Sequence, residues 1–507
     1  NEVKKMQNIY RAAAVLACLA LAAGTLARCA PAVPQASSSA PAQTEEGAAS
    51  PLHDGRLRYL YNLNGSGGGT LLRGDELLYQ ASPSESITLL YTPGAADPAG
   101  WQLSRNDGSG QRITEVYSAA GDLLWSGAGE WRAALAGAML ALEPGGFSVD
   151  AGPGSETGCR LIDTASGQEY ALPAEATGCI PTESGQAVLT LNTDPSAGGL
   201  EGCSVVVLDL ADGSELQRVE RAYAYRAYGA EGVSRCAALQ RYDPETEQWS
   251  TDLYDPASRT MYSGFETFCG DDLICFQSEP GRYDVCALGE TEPLASYDGL
   301  CSYWREGLAL ARDAEGSAVL YQEDGTIQPL FDFLTYSVDD GYVAFLLQDG
   351  SLLLYGPDGS ETAIETSLTS QDRVSVMGAQ GGYVLLSVSD ADYTVTRSLI
   401  YNASGLVYDS TGSGYERLNY LTMGPDGPVY EAARQGAGGA WLSDVLDSRG
   451  NVLLSGLADV SGDSSLPGGV FAARRGFERG YMDLAGNWLY SESVFTSLSD
   501  EDASYYW

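Results

Sequence analysis

The chain has 507 residues, with 28 lysines and arginines against 68 aspartates and glutamates, a net charge of −40. A nucleic acid or an anionic membrane surface would meet repulsion from it in place of counterion release. Lys4 and Lys5 are the only lysines and His53 the only histidine, which excludes Walker-type phosphate loops, lysine Schiff bases, histidine-dependent triads and multi-histidine metal sites.

Lys4, Lys5 and Arg11 precede an uncharged apolar segment from Ala12 to Ala27. Sixteen residues fall short of the roughly 20 that span a bilayer, and a basic region followed by a short apolar one reads as an export signal. Leu26-Ala27-Arg28-Cys29 then resembles the bacterial lipobox, in which the cysteine is lipidated and becomes the new N-terminus. Arg28 departs from the small residue which that pattern carries. Residues 30–53, with Pro31, Pro34, Ser37-Ser38-Ser39 and Pro41, suit a flexible tether. The folded part, 54–507, is expected to begin near Asp54.

The rest of the chain repeats one local pattern. In Val445-Leu446-Asp447-Ser448-Arg449-Gly450-Asn451-Val452-Leu453-Leu454 an apolar run ends at an Asp-to-Gly turn and resumes. Aspartate can bond the backbone of the turn and glycine can take positive φ, so the pattern predicts a strand, a tight turn and a strand. It recurs at 116–121, 161–167, 207–213, 320–325, 353–359, 399–405 and 481–486, and at 253–259 with Arg259 in the glycine position. Turn positions 121, 167, 213 and 259 are 46 residues apart. Upstream of several turns a glycine opens another apolar strand, as at Gly146 to Val149, Gly307 to Leu310, Gly341 to Phe345, Gly382 to Leu386 and Gly469 to Ala472. A meander of three or four strands cannot bury both faces alone, so neighbouring units must supply the missing core. Up to eleven such units can be counted. Residues 55–110 carry the pattern in blurred form.

Eight cysteines lie between Cys159 and Cys301 and none follows. In an exported protein they suggest disulfides. Folding a hairpin about Pro280-Gly281 sets Cys275 opposite Cys286 at equal distance from the turn, which predicts a bridge between them. No CxxC spacing supports a zinc or iron-sulfur site. The acidic clusters Asp271-Asp272, Asp339-Asp340, Asp390-Ala391-Asp392 and Asp500-Glu501-Asp502 lack the spacing of a calcium loop and read as solvated turns. Tyr223, Tyr225 and Tyr228 read as packing residues of a strand, with a stacking platform for sugars as the alternative.

Near the C-terminus, Gly469 to Arg474, Arg479-Gly480-Tyr481-Met482-Asp483 and Gly486-Asn487-Trp488 resemble the bacterial WG repeat, with Arg479 in place of the signature tryptophan. More broadly the chain is similar to bacterial lipoproteins built as β-propellers of the pyrroloquinoline-quinone-like and tryptophan-aspartate types. The resemblance implies an all-β propeller, for which seven or eight blades would be usual; two propellers meeting near residue 300 are the alternative. It also implies a monomeric, non-catalytic binding or scaffold module that holds a protein or glycan at the cell surface, exported and either anchored through Cys29 or secreted. No catalytic, metal or cofactor-binding residue is assigned, and no cofactor is expected. The rival reading is a propeller hydrolase or lyase that acts on polysaccharide with paired carboxylates.

Overall fold

The computed structural model describes residues 50–493, apart from 62–67, 146–157, 195, 197–199, 230–231, 271, 306–307, 313–317, 323–326, 330–332, 340, 370, 437–438 and 463–465. Cys29, the signal-like segment and residues 30–49 of the tether therefore lie outside the described residues, as do Gly146 to Val149, Asp271, Gly307, Gly325, Asp340 and Asp500 to Asp502.

The described residues form eleven antiparallel sheets, each made of strands consecutive in sequence and hydrogen-bonded in sequence order. The first sheet has three strands and the other ten have four. We call them blades 1 to 11, covering residues 57–81, 86–128, 131–170, 176–220, 222–263, 265–297, 301–329, 333–364, 373–409, 417–457 and 459–493.

The repeated turn has a fixed place in this architecture. All nine occurrences fall between the third and fourth strands of a blade, in blades 2 to 5 and 7 to 11. Asp163, Asp209, Asp255, Asp358, Asp447 and Asp483 each accept the backbone N–H two residues on, at 2.9–3.1 Å. Gly167, Gly213, Gly359, Gly450 and Gly486 have φ between 73° and 84°, and Arg259 takes φ 59° in the glycine position. The glycines at 307, 341, 382 and 469 precede the second strands of blades 7, 8, 9 and 11. One unit thus corresponds to one blade, and eleven sheets stand where seven or eight were expected.

Each blade is apolar on both faces, because each lies between two others. In the third strand of blade 4, Val205 and Val207 pack toward blade 5, while Val206 packs toward blade 3. The two-residue period of a strand divides the run Val205-Val206-Val207 between two cores. Eleven such cores exist among the described residues, one for each successive pair of blades. The eleventh joins the last blade to the first through Val470 and Tyr481 against Leu60 and Leu72, with Leu52 buried beneath them. This closed circuit of radially packed meanders is a β-propeller. The series runs without a break through residue 300, where Cys275 and Val285 of blade 6 pack with Cys301 and Ala309 of blade 7. Leu52 also places the start of the fold slightly before Asp54.

A buried ion pair completes the closure. Arg479 Nη2 lies 2.6 Å from a Glu492 carboxylate oxygen, with Arg479 1% and Glu492 6% exposed at the side chain. Thr70 Oγ1 of blade 1 donates to both Glu492 oxygens at 2.6 and 2.7 Å, and Tyr490 donates at 3.0 Å. Arg479 also donates to the Tyr61 carbonyl at 3.1 Å. The residue in the tryptophan position of the WG-like segment is therefore a charged tie between blades 11 and 1. Gly480 beside it is obligatory: a Cβ there would lie 2.0 Å from the Tyr490 carbonyl oxygen.

The expected Cys275–Cys286 bridge is corrected by the register of its hairpin. Glu279 pairs with Arg282 across Pro280-Gly281 as expected, but Gln277 pairs with Tyr283, which leaves Ser278 as a bulge. The inserted residue shifts every later pairing by one, so Cys275 faces Val285 and Ile274 faces Cys286. A shift of one turns side chains to opposite faces. Cys286 enters the core shared with blade 5 and Cys275 the core shared with blade 7. Cys275 and Cys286 are both buried and joined by no disulfide.

Candidate functional site

The first strands of neighbouring blades lie against one another. Ser86–Tyr91 touches Trp131–Ala136, which touches Ala176–Pro181, which touches Ala222–Gly229; Phe265–Gly270 meets Cys301–Arg305, and Phe333–Asp339 meets Arg373–Gly378. In a radial arrangement only the innermost strands can do this, so the first strands gather at the axis and the fourth strands form the rim.

Side chains that are exposed on first strands therefore face the axial space, and large apolar ones are prominent among them. Tyr61, Tyr225, Tyr228, Val338, Met377 and Tyr420 are all exposed there, Tyr228 by 67% and Tyr225 by 41%. The packing role expected for the tyrosines of blade 5 holds only for Tyr223, which is half-buried and bonds Gln240 through its hydroxyl. Tyr223 and Tyr225 share a face, with ring centroids 5.9 Å apart. A bulge between Arg226 and Tyr228 then re-aims the end of the strand. Alternation alone would not reveal this, because a position on an innermost strand has an open axis where other strands have a neighbour.

Arg226, between the two exposed tyrosines, ties this strand across the axial region. Its Nη2 donates to the Leu135 carbonyl of blade 3 at 2.7 Å, and its Nη1 to the Tyr91 carbonyl of blade 2 at 3.4 Å. Burial pulls its pKa down from the ordinary arginine value, with Tyr228 and Glu143 opposing that shift. Nearby, the Gly94 N–H donates to the Val233 carbonyl at 2.9 Å, joining a loop of blade 2 to the second strand of blade 5. Blades 2 and 5 are not neighbours in the ring. The bond therefore ties the tip of blade 5, where Val233 pairs with Tyr228, to blade 2.

The described first strands carry three carboxyls, Glu266 of blade 6, Asp339 of blade 8 and Asp459 of blade 11. Loss of solvation raises the pKa of Glu266 and of Asp459 from the ordinary carboxyl value. Other strongly held carboxylates lie on third strands. Asp444 accepts Arg434 at 2.9 Å, Tyr415 at 2.9 Å and the Gly456 N–H at 2.8 Å. Such satisfaction describes a structural group. Among the described residues no three histidine, cysteine, aspartate or glutamate side chains are grouped to hold a metal ion. In the acidic cluster at 390–392, Asp390 accepts the N–H groups of Asp392 and Thr394 at 2.9 and 3.0 Å, a turn that holds itself.

Among solved structures, the chain is similar to BamB from Moraxella catarrhalis, with 13% identity over 80% of this chain and 91% of that one and a TM-score of 0.22. It is similar also to apo AztD from Citrobacter koseri, with 11% identity, 70% and 94% coverage and a TM-score of 0.25. The β-propeller domain of the Trilobed protease from Pyrococcus furiosus shares 10% identity, with 63% and 93% coverage and a TM-score of 0.25. No curated protein sequence matches the chain. A family model described as a domain of unknown function, DUF5046, matches residues 334–501, the span from blade 8 through blade 11.

Proposed function

We propose that the protein is a non-catalytic binding module whose ligand, a glycan chain, lies on the axial tyrosines. The observation that carries this reading is the exposure of Tyr225 and Tyr228 on an innermost strand that is pinned across the ring by Arg226. Tyrosine offers an apolar ring face and a hydroxyl with little conformational freedom to lose, which suits a ligand that is partly apolar and partly hydroxylated. A net charge of −40 selects against polyanions and favours a neutral or cationic chain. In the same proposal, Cys29 anchors the module outside the cell membrane and residues 30–49 hold it clear of the surface.

Native electrophoresis through gels containing soluble neutral glucan, mannan or xylan tests the binding. Wild type is expected to be retarded in at least one gel. Tyr225→Ala combined with Tyr228→Ala should weaken binding at least tenfold, about 1.4 kcal/mol, with unchanged thermal unfolding. Unaltered migration in every gel would shift the reading to a protein partner. Release of new reducing ends would establish the hydrolase or lyase reading instead. For the anchor, Cys29→Ala should move the protein from the membrane fraction to the medium; a wild-type protein already free in the medium contradicts lipidation.

A further inference from the structure

Seven of the eight described cysteines share cores between blades. Cys159 and Cys179 lie between blades 3 and 4, and Cys236 and Cys286 between blades 5 and 6; Cys269, Cys275 and Cys301 lie between blades 6 and 7. The third group is the densest. Cys269 sits on the first strand of blade 6 and Cys301 opens the first strand of blade 7, two strands in direct contact near the axis. Cys269 occupies the extra position of a bulge, between the Phe268–Ile274 and Gly270–Leu273 pairs. The Cys269 thiol donates to the Cys301 sulfur, the Cys301 thiol donates to the Tyr303 carbonyl at 3.2 Å, and the Cys275 sulfur faces the backbone N–H of Cys301. Cys269 is 2% exposed and the other two 0%. No histidine or carboxylate joins them in a metal-binding group among the described residues. Two thiols held in contact on adjacent, separately anchored strands are suited to one covalent change.

We propose that Cys269 and Cys301 form a disulfide that staples blade 6 to blade 7, made by exchange with a disulfide oxidant such as oxidised glutathione. One cysteine thiolate attacks the oxidant to give a mixed disulfide, and the other displaces the oxidant's second sulfur. In sum the two thiols give up two protons and two electrons as the new S–S bond forms. The oxidant's S–S bond breaks and takes them up as two thiols. Cys275 stays reduced, because its sulfur is held by the Cys301 backbone N–H and shares no hydrogen bond with either thiol. Burial pushes the Cys275 thiol up to about 12, and the hydrogen bond to Cys301, followed by burial, raises Cys269 further. Thiolates are therefore scarce once the core has closed, and the exchange belongs to folding.

The test is to refold the full chain from urea in a glutathione redox buffer, unfold it again in urea containing N-ethylmaleimide to block free thiols, and map peptides without reduction. The expected result is a fragment linking 269 to 301, with the maleimide adduct on Cys275 located by fragmentation. Cys275→Ala should keep the link. Cys269→Ala should abolish it and leave Cys301 as an adduct. Recovery of both Cys269 and Cys301 as adducts from wild type would overturn the proposal. So would a link from either one to Cys275, and the wild-type map yields these outcomes whether or not a variant folds.

Discussion

Replacing Arg479 with alanine is expected to destabilise the protein by about 3–5 kcal/mol, since it leaves the buried Glu492 carboxylate without its cation. Thr70, Gln80 and Tyr490 would still donate to Glu492, but neutral donors do not balance a charge removed from water. The loss would fall on the contact between blades 11 and 1, where the described strands pair only within their own sheets and side chains alone join the two blades. Arg479→Met combined with Glu492→Leu should recover part of the loss, because no unpaired charge then remains. The exposed pair Arg160–Glu169 provides the contrast: its 2.7 Å separation is as short, but its side chains are 37% and 46% exposed, and its removal should cost about 0–1 kcal/mol. Urea unfolding midpoints of the three variants measure the difference. Equal shifts for Arg479→Ala and Arg160→Ala would show that burial at the closure does not govern its strength.

Gly450→Val is expected to be far more damaging than Gly213→Val, although both glycines serve the same turn with φ of 80° and 73°. At Gly213 a Cβ would meet nothing within 4 Å, so the cost is the left-handed backbone, about 1–2 kcal/mol. At Gly450 a Cβ would fall 2.0 Å from Cδ2 of Tyr408. Tyr408 belongs to the core between blades 9 and 10, and displacing its ring adds roughly 1–3 kcal/mol of overpacking. Gly167 and Gly405 resemble Gly213 in having open space. Thermal unfolding of the two valine variants should therefore show at least a twofold difference in destabilisation. Matching losses would mean that the backbone term alone governs every turn of the set.

The repeated hairpin was legible in the sequence because its causes are local. An aspartate that bonds the backbone two residues on, as Asp447 does to Arg449 at 2.9 Å, and a residue able to take positive φ define the turn without help from other blades. The same locality explains what went unseen. Blade 6 joins its third and fourth strands through residues 288–294, without the Asp-to-Gly pattern, and blade 1 has three strands. The Pro280-Gly281 turn was also correctly read, yet the bulge at Ser278 sent Cys275 and Cys286 into different cores. A bulge depends on how both strand faces pack against their neighbours, and no single-strand pattern records it.

The sequence by itself determined an all-β chain of repeated meanders, each needing neighbours on both sides, with turns dictated by the aspartate side chain and by permitted φ. Only the tertiary structure decided that eleven such units close on one another, because ring size follows from the angle at which successive blades pack and not from any one unit. It alone placed Tyr225 and Tyr228 at the open axis, Arg479 in the closing contact and Cys269 against Cys301. Each of these depends on which blade lies opposite. That is settled by contacts between residues as distant in the chain as Thr70 and Glu492, beyond the reach of any periodicity within a single strand.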